Sequence, residues 1–389
     1  VRDRDDTGAL FRLDFPMFRR RNKWVPLSET QQTDLSRGAE SYGCSVTDPR
    51  SKPWTMQQIA RAAGVSVTTV SHTLSGHRPV NAETAERIRR IVDEFGYVRD
   101  AGGQRLKTGR SRIIGLAVPD ISHWYFGRIA RGVEEAANEE DYGVIIASTS
   151  NSDPRREHRY FNMLRTRLID GLVYTASREM TPTEELARLP RTAPIVLADE
   201  IIPVLGDVPS VSFANYDGAL ELGRHLRSLG HSRVVILTGF PGLESQIQRV
   251  RGLRESFPHA LVVSGDFELQ SGYDLVAQLL AQDVRFTAII ACNDHMAIGA
   301  MQRLREADVR IPEDVSVVGF DDIDMASMVT PRLTTVRQDV FEAGRQSARM
   351  LIEGIEAGSF DDVRSVQLPV EIMHRASTAP ARDVEHAHP

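Results

Sequence analysis

A chain of 389 residues is too long for one ordinary core, so two or three globular units are expected. No run of about 18 apolar residues occurs, and the first stretch is charged and Arg-rich without an apolar segment. Those features exclude a spanning helix and a secretory signal from the reading and point to the cytoplasm. Cys44 and Cys292 are the only cysteines, too few for a disulfide framework or a thiolate zinc cluster, and neither metal nor cofactor is expected. The net charge of −6 hides an asymmetry: residues 51–112 carry eleven Lys/Arg against five Asp/Glu, whereas residues 113–389 carry 27 against 40. A small basic module ahead of a large acidic body is the arrangement of a protein whose front end meets a polyanion.

Residues 1–53 open with VRDRDDTGALFRLDF, charged and without helical or strand periodicity, and are expected to be a disordered or mis-started extension. Within it, FRRRNKW, Phe18 to Trp24, has the charge of an additional DNA-contacting arm.

Residues 54–98 hold three helical patterns. Thr55 followed by Gln58 has capping-box spacing, so a helix begins at Met56 with Ile59, Ala60 and Ala63 as its apolar stripe and Gly64 as its end. Ser66 caps a second helix running to about Leu74, and Asn81 caps a third, Ala82 to Phe95, closed by Gly96. Val70, Leu74, Ile88, Val92 and Phe95 give the three a shared core. Helix, glycine turn, helix is the helix-turn-helix plan, whose second helix enters the major groove of DNA. On that helix Val67, Thr68, Ser71 and His72 share one face opposite Val70 and Leu74. They offer an apolar contact for a thymine methyl, two hydroxyls and an imidazole to base edges or phosphates. Thr55, Ser66 and Thr69, at the two helix starts, complete the set expected at the DNA.

The segments IARAAGVSVTTVS, VNAETAERIRRIVDEFGY and LKTGRS resemble the DNA-binding head of the LacI/GalR family of bacterial transcription regulators. In that family the stretch after the third helix folds into a hinge helix on operator DNA and wedges a leucine, here Leu106, into the minor groove. Residues 99–112 are therefore expected to be the hinge. Gly102 and Gly103, each costing about 1 kcal/mol relative to alanine in a helix, make this hinge harder to order.

Residues 113–378 change texture: IIGLAVPD, VIIASTS, DGLVYTAS and PIVLADE, then SRVVILTG, ALVVSGDF, TAIIACND and VSVVGFDD, with helical patterns between most of them. Short apolar runs alternating with helices predict parallel sheets covered on both faces, and two quartets predict two similar α/β lobes. Ligands of such sheets collect at the strands' carboxyl ends, where Asp120, Asp199, Asn293 with Asp294, and Asp321 with Asp322 stand. AVPDIS, LGH, ACNDHMAIGAM, DVSVVGFDDIDMAS and PRLTTVRQD resemble the same family's regulatory core, which has a periplasmic-binding-protein fold with an effector between its lobes. One head reads one half-site, so a palindromic operator calls for a homodimer, and the residues after VQLPVEIM hold no apolar heptads for a tetramerising coiled coil. The resemblance implies a pocket of Ser122, His123, Phe126, Asp199, Arg249, Phe267, Asn293 and Asp321. Such residues suit a polyol: carboxylates, an amide and a guanidinium for its hydroxyls, and Trp124, Phe126 or Phe267 for an apolar sugar face.

The expected function is allosteric transcriptional regulation, usually repression, by a small molecule such as a sugar. Three alternatives remain open at this level: a regulator answering to a nucleobase-like corepressor, a solute-binding protein without regulatory DNA binding, and an enzyme using Asp294–His295 or Asp321–Asp322 as acid and base. No nucleophile elbow, P-loop or dinucleotide motif accompanies the last. Residues 379–389, ending EHAHP, are expected to be a disordered tail.

Overall fold

A computed structural model describes residues 17–20, 23–26, 54–76, 78–97, 109–149, 154–176, 193–202, 205–206 and 208–382. The chain divides into two compact units, Val1–Arg99 and Asp100–Pro389.

In the first unit, β1 (Met17–Arg20) and β2 (Lys23–Pro26) pair antiparallel, with Phe18 opposite Val25 and Arg20 opposite Lys23. This corrects the expectation of disorder over residues 17–20 and 23–26: aromatic and β-branched residues there favour extended pairing. The rest of residues 1–53 lies outside the described residues. Three helices follow, α1 (Met56–Ala63), α2 (Val67–Ser75) and α3 (Ala82–Glu94). Each starts where a cap was expected: the Thr55–Gln58 capping box is formed, Ser66 Oγ accepts from Thr69 N–H at 3.0 Å, and Asn81 accepts from Glu83 N–H at 2.9 Å. Gly64 ends α1 at φ 65°, a left-handed conformation that favours glycine. Ile59, Ala60, Ala63, Val70 and Ile88 form the core, with Leu74 and Val92 half-buried against it. Trp54 seals one side by stacking on Phe95, ring centroids 3.8 Å apart.

In the second unit, one lobe is built on six parallel strands in the order β13-β7-β6-β5-β3-β4: β3 (Ile113–Val118), β4 (Gly143–Ser148), β5 (Gly171–Tyr174), β6 (Ile195–Asp199), β7 (Ser210–Phe213) and β13 (Val366–Leu368). The other has four parallel strands, β11-β10-β8-β9: β8 (Val234–Thr238), β9 (Leu261–Ser264), β10 (Ala288–Ala291) and β11 (Ser316–Val318). Beside them β12 (Thr335–Gln338) pairs antiparallel with β14 (Val370–Met373). The helices are α4 (Trp124–Glu139), α5 (Pro154–Arg165), α6 (Asn215–Ser228), α7 (Glu244–Ser256), α8 (Leu269–Ala281), α9 (Asp294–Glu306) and α10 (Val340–Ala357).

The chain crosses between lobes three times: from β7 to α6, from β12 to α10, and from β13 to β14. Two matching quartets are thus a correction. The first lobe recruits SVSF, whose alternating serines hide a strand, and VQL from far downstream. Pro369 explains the last split: lacking an N–H, it ends VQL and lets PVEIM leave for the other lobe. Where α10 returns, it meets α4 at backbone distance; a Cβ on Gly344 would lie 2.2 Å from the Ile129 carbonyl oxygen.

Both ends of this unit extend beyond the expected limits. Ser111 and Arg112 donate their N–H groups to the Asp170 carboxylate at 2.7 and 2.8 Å, and Arg110 pairs with Glu356, so residues 110–112 are docked rather than hinge. Ala379 N–H donates to Ser316 Oγ at 3.0 Å and Ala381 N–H to the Leu229 carbonyl at 2.8 Å, which corrects the expected tail over 379–382. Leu106, Gly102 and Gly103 lie outside the described residues. Among the described residues no helix is long and apolar enough to cross a membrane, and no group of three or more His, Cys, Asp and Glu could hold a metal ion.

Candidate nucleic-acid interface and ligand cavity

The second helix of the head divides sharply by face. Val70 is fully buried while Val67 is 41% exposed, and Thr68 beside it is exposed as well. Ser71 and His72 are half-buried one turn further on. Thr55, Ser66 and Thr69 are engaged in capping: Thr55 exchanges hydrogen bonds with Gln58, and Ser66 Oγ lies 2.8 Å from Thr69 Oγ1. The face at Val67 and Thr68 is therefore held by caps at its start and by Val70 beneath it, which leaves short side chains presented outward on a rigid helix.

In the second unit, the carboxyl ends of β3, β5 and β6 in one lobe face those of β8, β9, β10 and β11 in the other, as open α/β sheets dictate. Between them lies a cavity with about 110 Å³ of space open to the centres of water molecules. One lobe contributes Asp120, His123, Tyr125, Phe126, Asp199 and Glu200; the other contributes Phe240, Gln246, Arg249, Phe267, Asn293 and Asp321.

Arg249 organises the far wall. It is 4% exposed; its Nε donates to Asn215 Oδ1 at 2.8 Å and its Nη2 to Gln338 Oε1 at 3.2 Å. Nη1 donates to the Cys292 carbonyl and stands 3.8 Å from Asp321 Oδ1, and the guanidinium lies 3.8 Å from the centre of the Phe320 ring. Each of the three nitrogens thus has a partner and the fork is fixed. Burial pushes Asp321 up to about 7, with Arg249 opposing the rise. On the near wall Tyr125 OH donates to Asp199 Oδ1 at 2.6 Å, and burial raises the Asp199 carboxyl against the pull of that bond and of Arg249. Glu200 reaches across the lobes to the start of α7, where Ser245 N–H donates to it at 3.1 Å and Ser245 Oγ donates as well. Leu243, at the N-cap of α7, makes no side-chain cap hydrogen bond, and a carboxylate from the opposite lobe serves that place. Burial, with the Asp199 charge beside it, pushes Glu200 up to about 7.

Backbone strain gathers at the same place. Asp199, Phe267 and Asp321 hold φ of 71°, 73° and 114°, conformations rare outside glycine and common at binding sites. Asn293 maintains one of them: its Nδ2 donates to the Phe267 carbonyl at 2.8 Å while its Oδ1 caps α9 by accepting from Met296 N–H at 3.0 Å. The Phe267 ring meets Phe240 edge to face, centroids 5.7 Å apart.

Of the residues expected to form a pocket, His123, Phe126, Asp199, Arg249, Phe267, Asn293 and Asp321 line the cavity. Ser122 and Trp124 do not, and both are corrections. Ser122 is exposed and its hydroxyl turns to Asp120 at 2.8 Å. Trp124 packs against the cores of both lobes, because the helix starting there rotates Tyr125 rather than Trp124 inward. Tyr125, Glu200, Phe240 and Gln246 went unrecognised; Glu200 alone carried a signal, standing beside Asp199 at a strand end. Asp294, the acid considered for catalysis, is fully buried outside the cavity, accepting from Ile323 N–H at 2.9 Å and Thr335 Oγ1 at 2.5 Å. His295 meets His123 ring to ring at 4.8 Å.

Arg249→Met should therefore cost more than its volume. Removing one partner of a buried pair typically costs about 3–5 kcal/mol, because the other charge stays buried. Asp321 then keeps Gln338 but faces Asp199 and Asp294 without a cation, so its carboxyl rises further above about 7. A carboxyl raised in the folded state loses stability as pH climbs above its unfolded value. Denaturation midpoints should show a deficit larger at pH 8 than at pH 6; an equal deficit at both would contradict the pairing.

Residues 55–100 match the family described as bacterial regulatory proteins, lacI family, and residues 224–378 match the periplasmic binding protein-like domain. The chain is 31% identical to the transcriptional regulator DegA of Bacillus subtilis over 84% of this chain and 98% of that protein. It is 31% identical to the ribose operon repressor of Escherichia coli over 83% and 99%. Its fold superposes on the lac repressor dimer bound to operator and an anti-inducer with TM-score 0.75 at 26% identity, over 84% of this chain and all of that one. Two-lobed cavity, capped helix-turn-helix head and full-length relatives agree: the chain belongs to the lacI family of bacterial regulatory proteins.

Proposed function

We propose that this regulator is a dimeric repressor whose grip on a palindromic operator is set by a small molecule, a sugar by preference, held between its lobes. The observation that carries the reading is the coexistence, on one chain, of an outward-facing set of short side chains on a capped second helix and a cavity lined by residues of both lobes. Val67, Thr68, Ser71 and His72 read base edges and phosphates, with Thr55, Ser66 and Thr69 at the helix starts near the backbone, and Leu106 enters the minor groove. Arg249, Asp199 and Asp321 orient the effector's hydroxyls, while Phe126 and Phe267 take its apolar face.

Ligand seated between the lobes favours one lobe arrangement over another, and that difference in binding is the only source of an allosteric effect. Similarity to a ribose operon repressor supports a sugar-sized effector. Its site of action is the cytoplasm, where the DNA is, and catalysis is no part of it, since Asp294 is engaged as a buried clasp. A retention assay with the DNA upstream of its own gene tests the reading: the fragment should be held against excess scrambled duplex, and equal retention of both would refute it.

A further inference from the structure

We propose that His123 and His295 form a latch between the two lobes, holding them together at the cleft while both rings are neutral and parting them when either ring is charged.

The rings meet from opposite lobes, His123 at the start of α4 and His295 in the first turn of α9, with centres 4.8 Å apart and planes inclined by 51°. Each carries a buried nitrogen with no partner among the described residues, Nε2 of His123 and Nδ1 of His295. Buried polar atoms are rarely left so, and two of them on touching rings of different lobes call for one explanation.

The tautomer of His123 supplies it. Its Nδ1 accepts from Tyr125 N–H at 3.4 Å as the cap of α4, so in the neutral ring the proton stands on Nε2. That nitrogen is a donor, and Nδ1 of a neutral His295 is able to accept. A slight further approach of the lobes pairs the two. A charge on either ring removes the match. Protonating His123 sets a hydrogen on Nδ1 against the Tyr125 N–H and uncaps α4; protonating His295 turns its acceptor into a donor opposite a donor. A transition metal suits the contact less well, because it takes the Nε2 lone pair and forces the His123 proton onto Nδ1.

The sign of the pH dependence follows from burial. Burial lowers both imidazoles from the ordinary 6.5, and the His123 ring lowers His295 further, while Asp120 beside His123 and Glu268 beside His295 pull the other way. A histidine lowered by the contact supports it fully above its free value and withdraws that support as pH falls through the lowered one. The loss is about tenfold in the closing equilibrium for each pH unit by which the contact lowers a histidine. Glu200 and Asp321, at about 7 in the same cleft, act with the opposite sign, since burial of a carboxylate is favoured as pH falls. The histidine contribution is therefore read as a difference between the unaltered chain and its histidine variants. Because His123 also lines the ligand cavity, protons and ligand bias the same movement of the lobes.

Trp124 is a native reporter of that movement. It is half-buried next to His123 and packs against the cores of both lobes, so parting them exposes it. Acrylamide quenching of its emission, in the full chain carrying Trp24→Phe and Trp54→Phe, with a chelator and without DNA or ligand, tests the latch. Between about pH 8 and about pH 5.5 the quenching constant should rise at least about twofold, and by clearly less in His123→Asn and in His295→Gln. Neither replacement titrates in that range, and asparagine retains a side-chain cap for α4. A Trp124 equally accessible at both pH values, or variants that respond as fully as the unaltered chain, overturns the latch. Operator affinity measured alongside separates the two readings: lobes that part with no change in operator binding uphold the latch and count against lobe movement as the control of DNA.

Discussion

Replacing Val67 or Thr68 by alanine will weaken specific operator binding by about 5- to 150-fold each, the range of one good base contact at about 1–3 kcal/mol, and leave thermal stability unchanged. The asymmetry follows from burial. Val67 is 41% exposed and Thr68 exposed, so neither supports the head's core, whereas Val70 on the opposite face is fully buried among Ile59, Ala60 and Ile88. Val70→Ala should therefore lower stability first and DNA affinity only as a consequence. Binding to scrambled duplex, which depends on phosphate charge rather than base edges, should be nearly the same for Val67→Ala, Thr68→Ala and the unaltered chain. Anisotropy titrations on operator and scrambled duplexes separate these cases. Parallel losses on both duplexes would show that this face does not read sequence.

Gly239→Ala should abolish the effector response while leaving operator binding in place. A Cβ at Gly239 would stand 2.0 Å from Phe267 Cζ and 2.2 Å from both Cε atoms, so the ring must leave its position. The backbone cannot follow, because Phe267 sits at φ 73° with its carbonyl held by Asn293 Nδ2 at 2.8 Å, so the ring must turn about its own side-chain bonds. Overpacking of this kind costs about 1–3 kcal/mol, and here the displaced ring is a wall of the cavity. Effector affinity is expected to drop about 10- to 100-fold, read by calorimetry, so that the response to DNA is lost at effector concentrations that just saturate the unaltered chain. Undiminished effector affinity in this variant would place the ligand elsewhere.

The head was legible almost residue by residue because its signals are local: Thr55 with Gln58, Ser66, Asn81 and Gly64 each act within one turn of their own position. The apolar strands of the body were legible for the same reason. What escaped depends on contacts distant in sequence. Ser210–Phe213 alternates serine with apolar residues and becomes a buried strand only because Leu197–Asp199 and Val366–Leu368 pair on either side of it. Whether Trp124 or Tyr125 turns inward depends on the angle at which α4 starts, set by the His123 ring accepting from Tyr125 N–H at 3.4 Å. The role of Glu200 depends on the opposite lobe presenting Ser245 to it. Likeness to known regulators suggested pocket positions that spacing alone left open; of these all but Ser122 line the cavity, and Trp124, taken up only as an aromatic beside them, does not.

The central claim is that one chain couples a phosphate-gripping head to a ligand-holding cavity. It is tested by titrating an operator duplex across salt concentrations, with and without the compound that most raises the chain's melting temperature. Log affinity should fall with log salt by about 0.9 for each phosphate neutralised, and the ligand should displace the whole line by at least about fivefold. Superimposed lines in the presence and absence of a ligand shown to occupy the cavity would contradict the account.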